Sequence, residues 1–260
     1  MDKGKSVEST EGGREVKNTV ITMKDGEVRV VLCGKKTSIR SIIVAPVRNW
    51  EGQSSDWNKG LCFKGTALFD NGPSKHPSPS SFSIQCPYGQ PGDRLVVKEA
   101  WRVGAWDENC GKISVDYRAD MFARKDWIDI PSERLFEKLW IESTEDAEKA
   151  GFKTDGDGQY KWEDGRGPCR WRGASTMPKE ATRIVLEIKN ITTERLQNIS
   201  DLEARQEGFI PDIRGGVAGC KRQFVGNWDR RYRGTSYSWE ENPWVWVVEF
   251  RKGLWVEQSY

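Results

Sequence analysis

The sequence lacks the features that mark membrane-spanning, secreted and disulfide-rich proteins. No stretch approaches the ~18 consecutive apolar residues that a membrane helix needs. The first 17 residues have no apolar centre, so they do not predict a signal peptide. The six cysteines include no CxxC pair, which predicts reduced thiols rather than a disulfide framework. We therefore expect a cytoplasmic protein with no membrane partner.

Histidine is also nearly absent, because His76 is the only one. A Ser-His-Asp or Cys-His mechanism would have to use it, and it lies in a Pro/Ser-rich stretch, which argues against both classes. Cys62, His76 and Cys86 do not have the spacing of a standard zinc site. The Gly/Asp-rich segment 155–167 lacks the terminal glutamate of a calcium loop. We expect no metal and no other cofactor.

An excess of positive charge is missing as well. The chain has 41 basic and 39 acidic residues and a net charge of +2. This balance argues against a protein that coats duplex nucleic acid, but it allows a small basic pocket for one nucleotide or a single strand. The 13 tryptophans are suited to stacking on bases, although most are expected to pin loops onto a thin core.

Length and polarity predict one large domain with insertions. The chain has 260 residues, 36% of them hydrophobic, and a mean hydropathy of −0.72. We predict a flexible N-terminal lead over residues 1–17 and a single domain over residues 18–260. Two long loop insertions are predicted within it, at about 48–85 and 121–171.

The segment from Cys86 to Val103 is the centre of the predicted fold. Two Pro/Gly turns precede Arg94–Lys98, which has the β-branched composition of a strand. The strand brings a short group of polar and aromatic residues to its end, namely Lys98, Glu99, Trp101 and Arg102. This group indicates either a solvated strand end or one wall of a binding site, and spacing alone favours the solvated end.

Hydrophobic periodicity predicts the remaining elements. Residues 196–208 are predicted as a helix that contains a capping box of Ser200 and Glu203 and ends at Gly208, with Glu207 in its last turn. Residues 27–33 fit a short helix or a strand, and residues 106–111 are predicted as a loop. Two short helices are predicted at 132–139 and 144–150, with capping by residues 143–146. Strands are predicted at 20–23, 112–117 (paired with 94–98), 181–191 and 243–250, and a small hairpin at 63–69.

Two basic segments are further candidates for a site. Lys36, Thr37 and Arg40 follow Gly34 and lie between two ordered elements, where either a solvated turn or a binding loop fits. Residues 212–239 interleave arginines, Arg230 and Arg231 among them, with aromatic residues. That composition is typical of single-strand binding, and it equally fits a solvated helix whose aromatics face the core.

The order of these motifs resembles the ASCH domain of the PUA-like superfamily, in the form found in many bacteriophage and prophage proteins. The matching segments cover roughly a third of the chain: 34–40, 86–101, 117–120, 177–188, 194–208 and 242–250. The resemblance implies an α+β fold, a mostly antiparallel β-barrel with flanking short helices. It also implies a cleft beside the first helix, and the host cytoplasm as the location if the protein is phage-encoded.

The resemblance also implies functions and residues. The superfamily binds RNA or modified bases, some small bacterial ASCH proteins hydrolyse acetylcytidine, and some members are reported as ribonucleases. In the amidohydrolase branch the site uses a lysine, a threonine three residues later and a glutamate near the end of the capped helix. Lys36 matches the lysine and Glu207 matches the glutamate. Ile39 occupies the threonine position and has no nucleophilic oxygen.

Three hypotheses follow from the sequence. The first is a protein that binds single-stranded RNA or a modified nucleoside or nucleotide. The second is a hydrolase, acting on a nucleoside amide or on RNA, with Lys36 and Glu207 as catalytic residues. The third is a non-enzymatic phage protein that binds a host protein through its insertions. The predicted binding residues are Lys36, Thr37, Arg40, Lys98, Glu99, Trp101, Arg102, Glu207, Arg230 and Arg231.

Overall fold

The computed structural model describes residues 14–44, 57–71, 81–122, 127–163, 165–211 and 219–253. The strands are β1 (Asn18–Thr22), β2 (Ser38–Ile42), β3 (Trp57–Phe63), β4 (Thr66–Asn71), β5 (Ser81–Gln85), β6 (Arg94–Lys98), β7 (Trp101–Asp107), β8 (Lys112–Tyr117), β9 (Trp127–Asp129), β10 (Ile184–Arg195) and β11 (Trp244–Lys252). The helices are α1 (Asp25–Leu32), α2 (Glu133–Lys149), α3 (Asp201–Gln206) and α4 (Cys220–Tyr232). In the described part, no helix has the length and apolar composition needed to cross a membrane.

The main sheet is five-stranded, in the order β1-β6-β10-β11-β2, and it curls into a half-barrel. Only β1 and β6 pair in parallel, and the other neighbours are antiparallel. The α+β class therefore agrees with the prediction, and the barrel is partial. The alternation of β11 follows the prediction, since Trp244 and Trp246 enter one core while Val245 and Val247 enter another.

Helix α1 covers the core face of the main sheet. Val28 and Val31 are buried against it, and the Glu27 carboxylate accepts a hydrogen bond from the Lys24 N–H at 3.1 Å. Gly34, with φ of 69°, ends the helix in the left-handed conformation that glycine tolerates. The short helix is thus the correct alternative for this segment. The C-terminal end of α1 leads into the candidate site.

A second layer is built from β7, β8, β9 and α2, which enclose a separate apolar core. Two expectations for this region were wrong and a third was correct in part. Strand β8 pairs with β7 rather than with β6. The loop predicted at 106–111 is a turn over residues 108–111 only, because β7 continues to Asp107. A single helix of 17 residues replaces the two short ones, and Ser132 caps it. Ser143 is therefore inside the helix and buried, because its face packs on the core.

A third core lies on the opposite face of β11, under α3 and α4. A 3-10 turn over Leu196–Asn198 precedes α3, so the predicted helix begins later than expected. Its capping box forms as predicted, with Ser200 accepting from the Glu203 N–H. The first insertion contains the three-stranded sheet β3-β4-β5, which includes the predicted hairpin.

The end of the predicted N-terminal lead contacts the turn before β6. Arg14 donates to Asp93 Oδ1 at 2.6 Å, and the Lys17 N–H donates to the same oxygen at 2.9 Å. Burial raises the pKa of Asp93, but the hydrogen bonds from Arg14, Lys17 and Gln90 outweigh it and hold the pKa below its usual range. Asp93 therefore anchors residues 14–17 to the core.

Candidate functional site

The end of α1 and the end of α3 meet at Lys36 and Glu207. The carbonyl of Val30 accepts from the N–H groups of Lys35 and Lys36 at 2.8 and 3.0 Å, and Lys36 and Glu207 form an isolated β-bridge. Gly208 has φ of 96°, and a Cβ there would lie 2.8 Å from Val30 Cγ2. Only glycine allows this close approach of α1 and α3.

Lys36 and Glu207 also interact through their side chains. Lys36 Nζ donates to the Glu207 carbonyl at 2.7 Å and to Glu207 Oε2 at 3.2 Å. Lys36 is 5% exposed and Glu207 is 8% exposed. The two residues matched by the resemblance are therefore in direct contact, although they are 171 residues apart in the chain.

Arg40 connects the pair to two further carboxylates. It projects from β2 and donates to Glu207 Oε1 at 3.1 Å and to Glu194 Oε1 at 2.7 and 2.9 Å. Its guanidinium also lies 3.3 Å from Glu203 Oε1. We call Lys36, Arg40, Glu194, Glu203 and Glu207 the Lys36 cluster. It contains two cations and three carboxylates, and Glu194 and Glu203 form its solvent-facing rim.

The Glu203 carboxylate is held in its ionised form. Burial raises its pKa, but hydrogen bonds from the Ser200 N–H and hydroxyl and the charges of Arg40 and Lys221 lower it below its usual range. The helix-capping residue is therefore also a stable acceptor at the rim.

Residues 37–39 occupy three different environments. The Thr37 N–H donates to the Gln206 carbonyl, and the Thr37 carbonyl accepts from the Phe250 N–H, both at 2.8 Å. Ile39 packs against the main core, as its apolar side chain requires. Ser38 is 3% exposed, and its hydroxyl has no hydrogen-bond partner among the described residues. Strand alternation places Ser38 on the same face as Arg40.

Glu99 belongs to a different buried group. Arg183 donates to both of its carboxylate oxygens at 2.8 and 2.9 Å and to Asp120 Oδ2 at 2.6 Å. The guanidinium also lies 3.9 Å from the ring centre of Tyr117. We call Glu99, Asp120 and Arg183 the Glu99 cluster. Burial raises the pKa of Glu99, and the bonds and charge of Arg183 offset this only in part. The pKa of Arg183 is raised, because its two carboxylate partners outweigh burial.

The two clusters lie toward opposite ends of α1. The Met23 N–H, just before α1, donates to the Lys98 carbonyl at 3.0 Å, whereas Lys36 follows the end of the helix. The eight residues of α1 separate them by about 12 Å of helix axis, at ~1.5 Å per residue. The structure therefore brings Lys36, Arg40 and Glu207 together and leaves Lys98 and Glu99 at a separate place.

The side chains of Trp101 and Arg102 form hydrogen bonds within the second layer. Trp101 is fully buried, and its Nε1 donates to Thr176 Oγ1 at 3.2 Å. Arg102 donates to Asp116 and to the carbonyls of Gly165 and Gly167 at 2.7–3.0 Å. A base would find neither an open ring at Trp101 nor an unused nitrogen of Arg102. The expectation that they line a nucleotide site is corrected for this reason.

The basic and aromatic residues of α4 lie on different sides of that helix. Phe224 and Trp228 are buried in the third core with Tyr232 packed against it, while Arg230 and Arg231 are exposed. The structural interpretation of the aromatics is therefore correct, since the rings are not available for stacking. The arginines remain at the surface.

Sequence reasoning missed Glu194, Glu203 and Ser38 as members or neighbours of the site. Alternation along β2 would have placed Ser38 beside Arg40, and Glu203 was assigned to capping alone. Arg183, which pairs with Glu99, gave no local signal because 84 residues separate them. His76 and the Cys62 side chain lie outside what is described. Among the described residues, no group of three or more His, Cys, Asp or Glu is arranged to hold a metal ion.

Comparisons with protein-family models, with curated proteins and with solved structures found no match to this chain.

Proposed function

We propose that the protein binds a nucleoside or an unpaired nucleotide of a nucleic acid at the Lys36 cluster, in the manner of an ASCH-type domain. The observation that carries the proposal is the buried contact of Lys36 and Glu207, tied by Arg40 to two rim carboxylates. A buried ion pair is weak support for stability, because desolvating its charges offsets much of the attraction. Such clusters are candidates for a functional site.

The charges of the cluster favour a base edge over a phosphate as ligand. Its three carboxylates outnumber its two cations, so the cluster would repel the negative charge of a phosphate. A base edge presents exocyclic amino donors and carbonyl acceptors, which carboxylates and lysine complement. Glu194 and Glu203 are the first groups a ligand meets, with 22% and 38% of their side chains exposed.

Calorimetric titration with cytidine, acetylcytidine, adenosine, guanosine and uridine tests the proposal. We expect Lys36→Met and Glu207→Gln to weaken binding by at least about tenfold, the value of one charged hydrogen bond. The matched control is Glu187→Gln, which removes an exposed carboxylate paired with Arg251 between β10 and β11. The proposal is rejected if none of the nucleosides binds, or if the cluster variants bind as tightly as the control.

Hydrolysis of a nucleoside amide is the second candidate, and Ser38 is the observation that favours it. The buried Ser38 hydroxyl, which has no hydrogen-bond partner among the residues that the structure describes, lies on the strand face of Arg40, next in alternation to Lys36. An attacking hydroxyl, a lysine and a carboxylate are the groups that acyl transfer requires. Ser38 Oγ would attack the amide carbonyl, and its proton would pass to the departing nitrogen, which leaves as the free amine of the base. Water would then cleave the acetyl-serine ester, releasing acetate and restoring the hydroxyl.

Chromatography of acetylcytidine incubated with the protein tests this candidate. We expect turnover to fall at least about a hundredfold in Ser38→Ala, Lys36→Met and Glu207→Gln, the usual size of a lost acid-base contribution. Turnover that survives all three substitutions would remove these residues from the reaction. Parallel incubation with single-stranded RNA separates amide hydrolysis from ribonuclease activity.

A further inference from the structure

The exposed face of α4 carries an uncompensated positive charge. Arg222, Arg230, Arg231 and Arg233 are exposed, and none of them has an ion-pair partner in the described part of the chain. Asp229 is the only carboxylate on α4; it is half-buried, and its Oδ1 accepts from the Trp239 N–H at 3.2 Å. At ~100° per residue, Arg222, Arg230 and Arg233 lie within about 80° of one another around the helix axis, whereas Arg231 lies on the side opposite Arg222. We call Arg222, Arg230, Arg233 and the glycine between them, Gly226, the arginine face.

A glycine lies in the middle of this face. Gly226 is exposed, one turn from both Arg222 and Arg230, and a Cβ there would meet nothing within 4 Å. Glycine inside an exposed helix costs about 0.5–1 kcal/mol relative to alanine. Packing does not require glycine at this position, and its absent side chain leaves a flat, open stretch of helix between Arg222 and Arg230.

The arginine face starts beside the Lys36 cluster. Cys220 Sγ donates to the Phe209 carbonyl at 3.6 Å, and Gln223 Nε2 donates to the Ile210 carbonyl at 2.7 Å. Phe209 and Ile210 directly follow Gly208, at the end of α3. Arg230 lies about 12 Å farther along the axis than Arg222, at ~1.5 Å per residue. The face therefore leads away from the site.

We propose that the arginine face binds the sugar-phosphate backbone of single-stranded nucleic acid whose base is held at the Lys36 cluster. This inference rests on the proposed function and extends it from a nucleoside to a polymer. Guanidinium groups bind phosphate oxygens through paired hydrogen bonds. The carboxylate-rich Lys36 cluster cannot supply that contact, so the two surfaces divide the recognition of base and phosphate.

A membrane surface and a nucleic-acid duplex fit this face less well than a single strand does. A helix that lies in a membrane surface needs exposed large apolar residues, and none of those exposed in the structure is on α4. In a duplex the base edges are already paired, so the base could not enter the Lys36 cluster. Because the aromatic residues of α4 are buried, the helix can bind nucleic acid only through the phosphates. We therefore expect its affinity to depend weakly on nucleotide sequence and strongly on salt concentration.

The test compares two triple variants of the full chain that remove equal charge. Arg222→Gln/Arg230→Gln/Arg233→Gln changes the arginine face, and Arg134→Gln/Lys138→Gln/Lys149→Gln changes exposed positions of α2. Fluorescence anisotropy with a labelled single-stranded RNA of about 12 nucleotides is measured at several salt concentrations. We expect about 10- to 100-fold weaker binding for the α4 variant and a salt slope lower by about two, at ~0.7 per lost phosphate contact. Nucleoside affinity stays unchanged.

The possible outcomes separate the two proposals. Equal weakening by both triple variants, or no weakening by the α4 variant, overturns the arginine face while nucleoside binding still supports the Lys36 cluster. Absence of nucleoside binding refutes the proposed function itself. Tighter binding to an RNA duplex or to phosphatidylserine vesicles than to the single strand overturns the assigned partner.

Gly226→Gln gives an independent check, because it adds bulk without changing charge. We expect it to stabilise α4, as glutamine has higher helix propensity than glycine. We also expect it to weaken RNA binding severalfold while nucleoside binding is unchanged. Unchanged RNA affinity would overturn the close approach at Gly226.

Discussion

The Lys36 cluster and the Glu99 cluster are both buried and charged, yet they are built differently. Glu99 is fully buried and accepts hydrogen bonds from two of the three guanidinium nitrogens of Arg183. The guanidinium also stacks on the Tyr117 ring. In the Lys36 cluster, Glu207 is shared by two cations, and the rim carboxylates reach solvent. The closed cluster joins β6, β10 and the turn after β8, whereas the open one has groups a ligand can reach. Burial of charge alone therefore does not identify a site.

The largest expected effect concerns the closed cluster. Arg183→Met leaves Glu99 buried without its partner, so we expect the free energy of unfolding to fall by about 3–5 kcal/mol. Arg251→Met is the matched control, since Arg251 also binds a glutamate, Glu187, through two nitrogens but is exposed. The control is expected to lose less than about 1 kcal/mol. Urea denaturation measures both, and similar losses would contradict the distinction.

The open cluster depends more on backbone placement. Gly208→Ala adds a Cβ 2.8 Å from Val30 Cγ2 at φ of 96°, and we expect a loss of about 2–4 kcal/mol from backbone strain and overpacking. Gly34→Ala is the control, since Gly34 also has positive φ but an added Cβ would meet nothing within 4 Å. It is expected to cost about 1–2 kcal/mol. Thermal unfolding that shows no difference between the two would argue against the close approach.

Removing a cation from the open cluster should cost less than removing Arg183. In Lys36→Met, Glu207 keeps its bond from Arg40, so we expect a loss of about 2 kcal/mol, near that of one charged hydrogen bond. The same denaturation series measures it, alongside the nucleoside titration. A loss as large as that of Arg183→Met would show that the Lys36 cluster is also a structural clamp.

The smallest expected effect is a pH dependence at the rim. Glu203 has a lowered pKa in the folded protein, so its contribution is present above its unfolded pKa and is lost as the pH falls through the folded value. Glu203→Gln should reduce stability at pH 7 by roughly 0.5 kcal/mol, a small value because the side chain is 38% exposed. The difference should become smaller as the pH falls through the folded pKa. A difference that does not change with pH would exclude this linkage.

Glu99 should respond to pH in the opposite sense. Its pKa is raised in the folded protein, so the folded state binds the proton more tightly than the unfolded state does. Its contribution therefore declines as the pH rises from its unfolded value through its folded value. Glu203 and Glu99 are therefore expected to change the free energy of unfolding in opposite directions as the pH rises. Isotope-edited infrared titration of each carboxyl group can measure the two shifts separately.

Much of the fold was predictable from the sequence, because caps, turns and strand alternation depend on residues that are neighbours in the chain. The capping box at Ser200, the turn before Arg94 and the alternation of Trp244 to Val247 each involve neighbouring residues, and each forms as expected. Strand β7 was missed because Trp106 precedes a polar turn and pairs only with the later strand β8. Helix α2 was divided because Ser143 and Thr144 resemble a cap, but the core buries Ser143 inside the helix.

The candidate site was predictable only in part, because its residues come from distant segments. Lys36 and Glu207 were chosen by resemblance, and the structure places them in contact. Trp101 was chosen because it follows Lys98 and Glu99 in the sequence. Its side chain is buried in the apolar core of the second layer, which amino-acid composition cannot predict. No sequence pattern could connect Glu194 with Arg40 before the strand order was known. Pairing between strands, rather than propensity, determined these contacts.

The long sequence separation of Lys36 and Glu207 has a consequence for the synthesis of the protein. Their contact closes a loop of 171 residues, so the site cannot exist in a growing chain until residue 207 has left the ribosome. At about 5–20 residues per second, the Lys36 side chain waits roughly 10–30 s for its partner. During that interval α1 can form, but β2 lacks its neighbour β11. Ligand binding would therefore report only on chains whose C-terminal strand has joined the sheet.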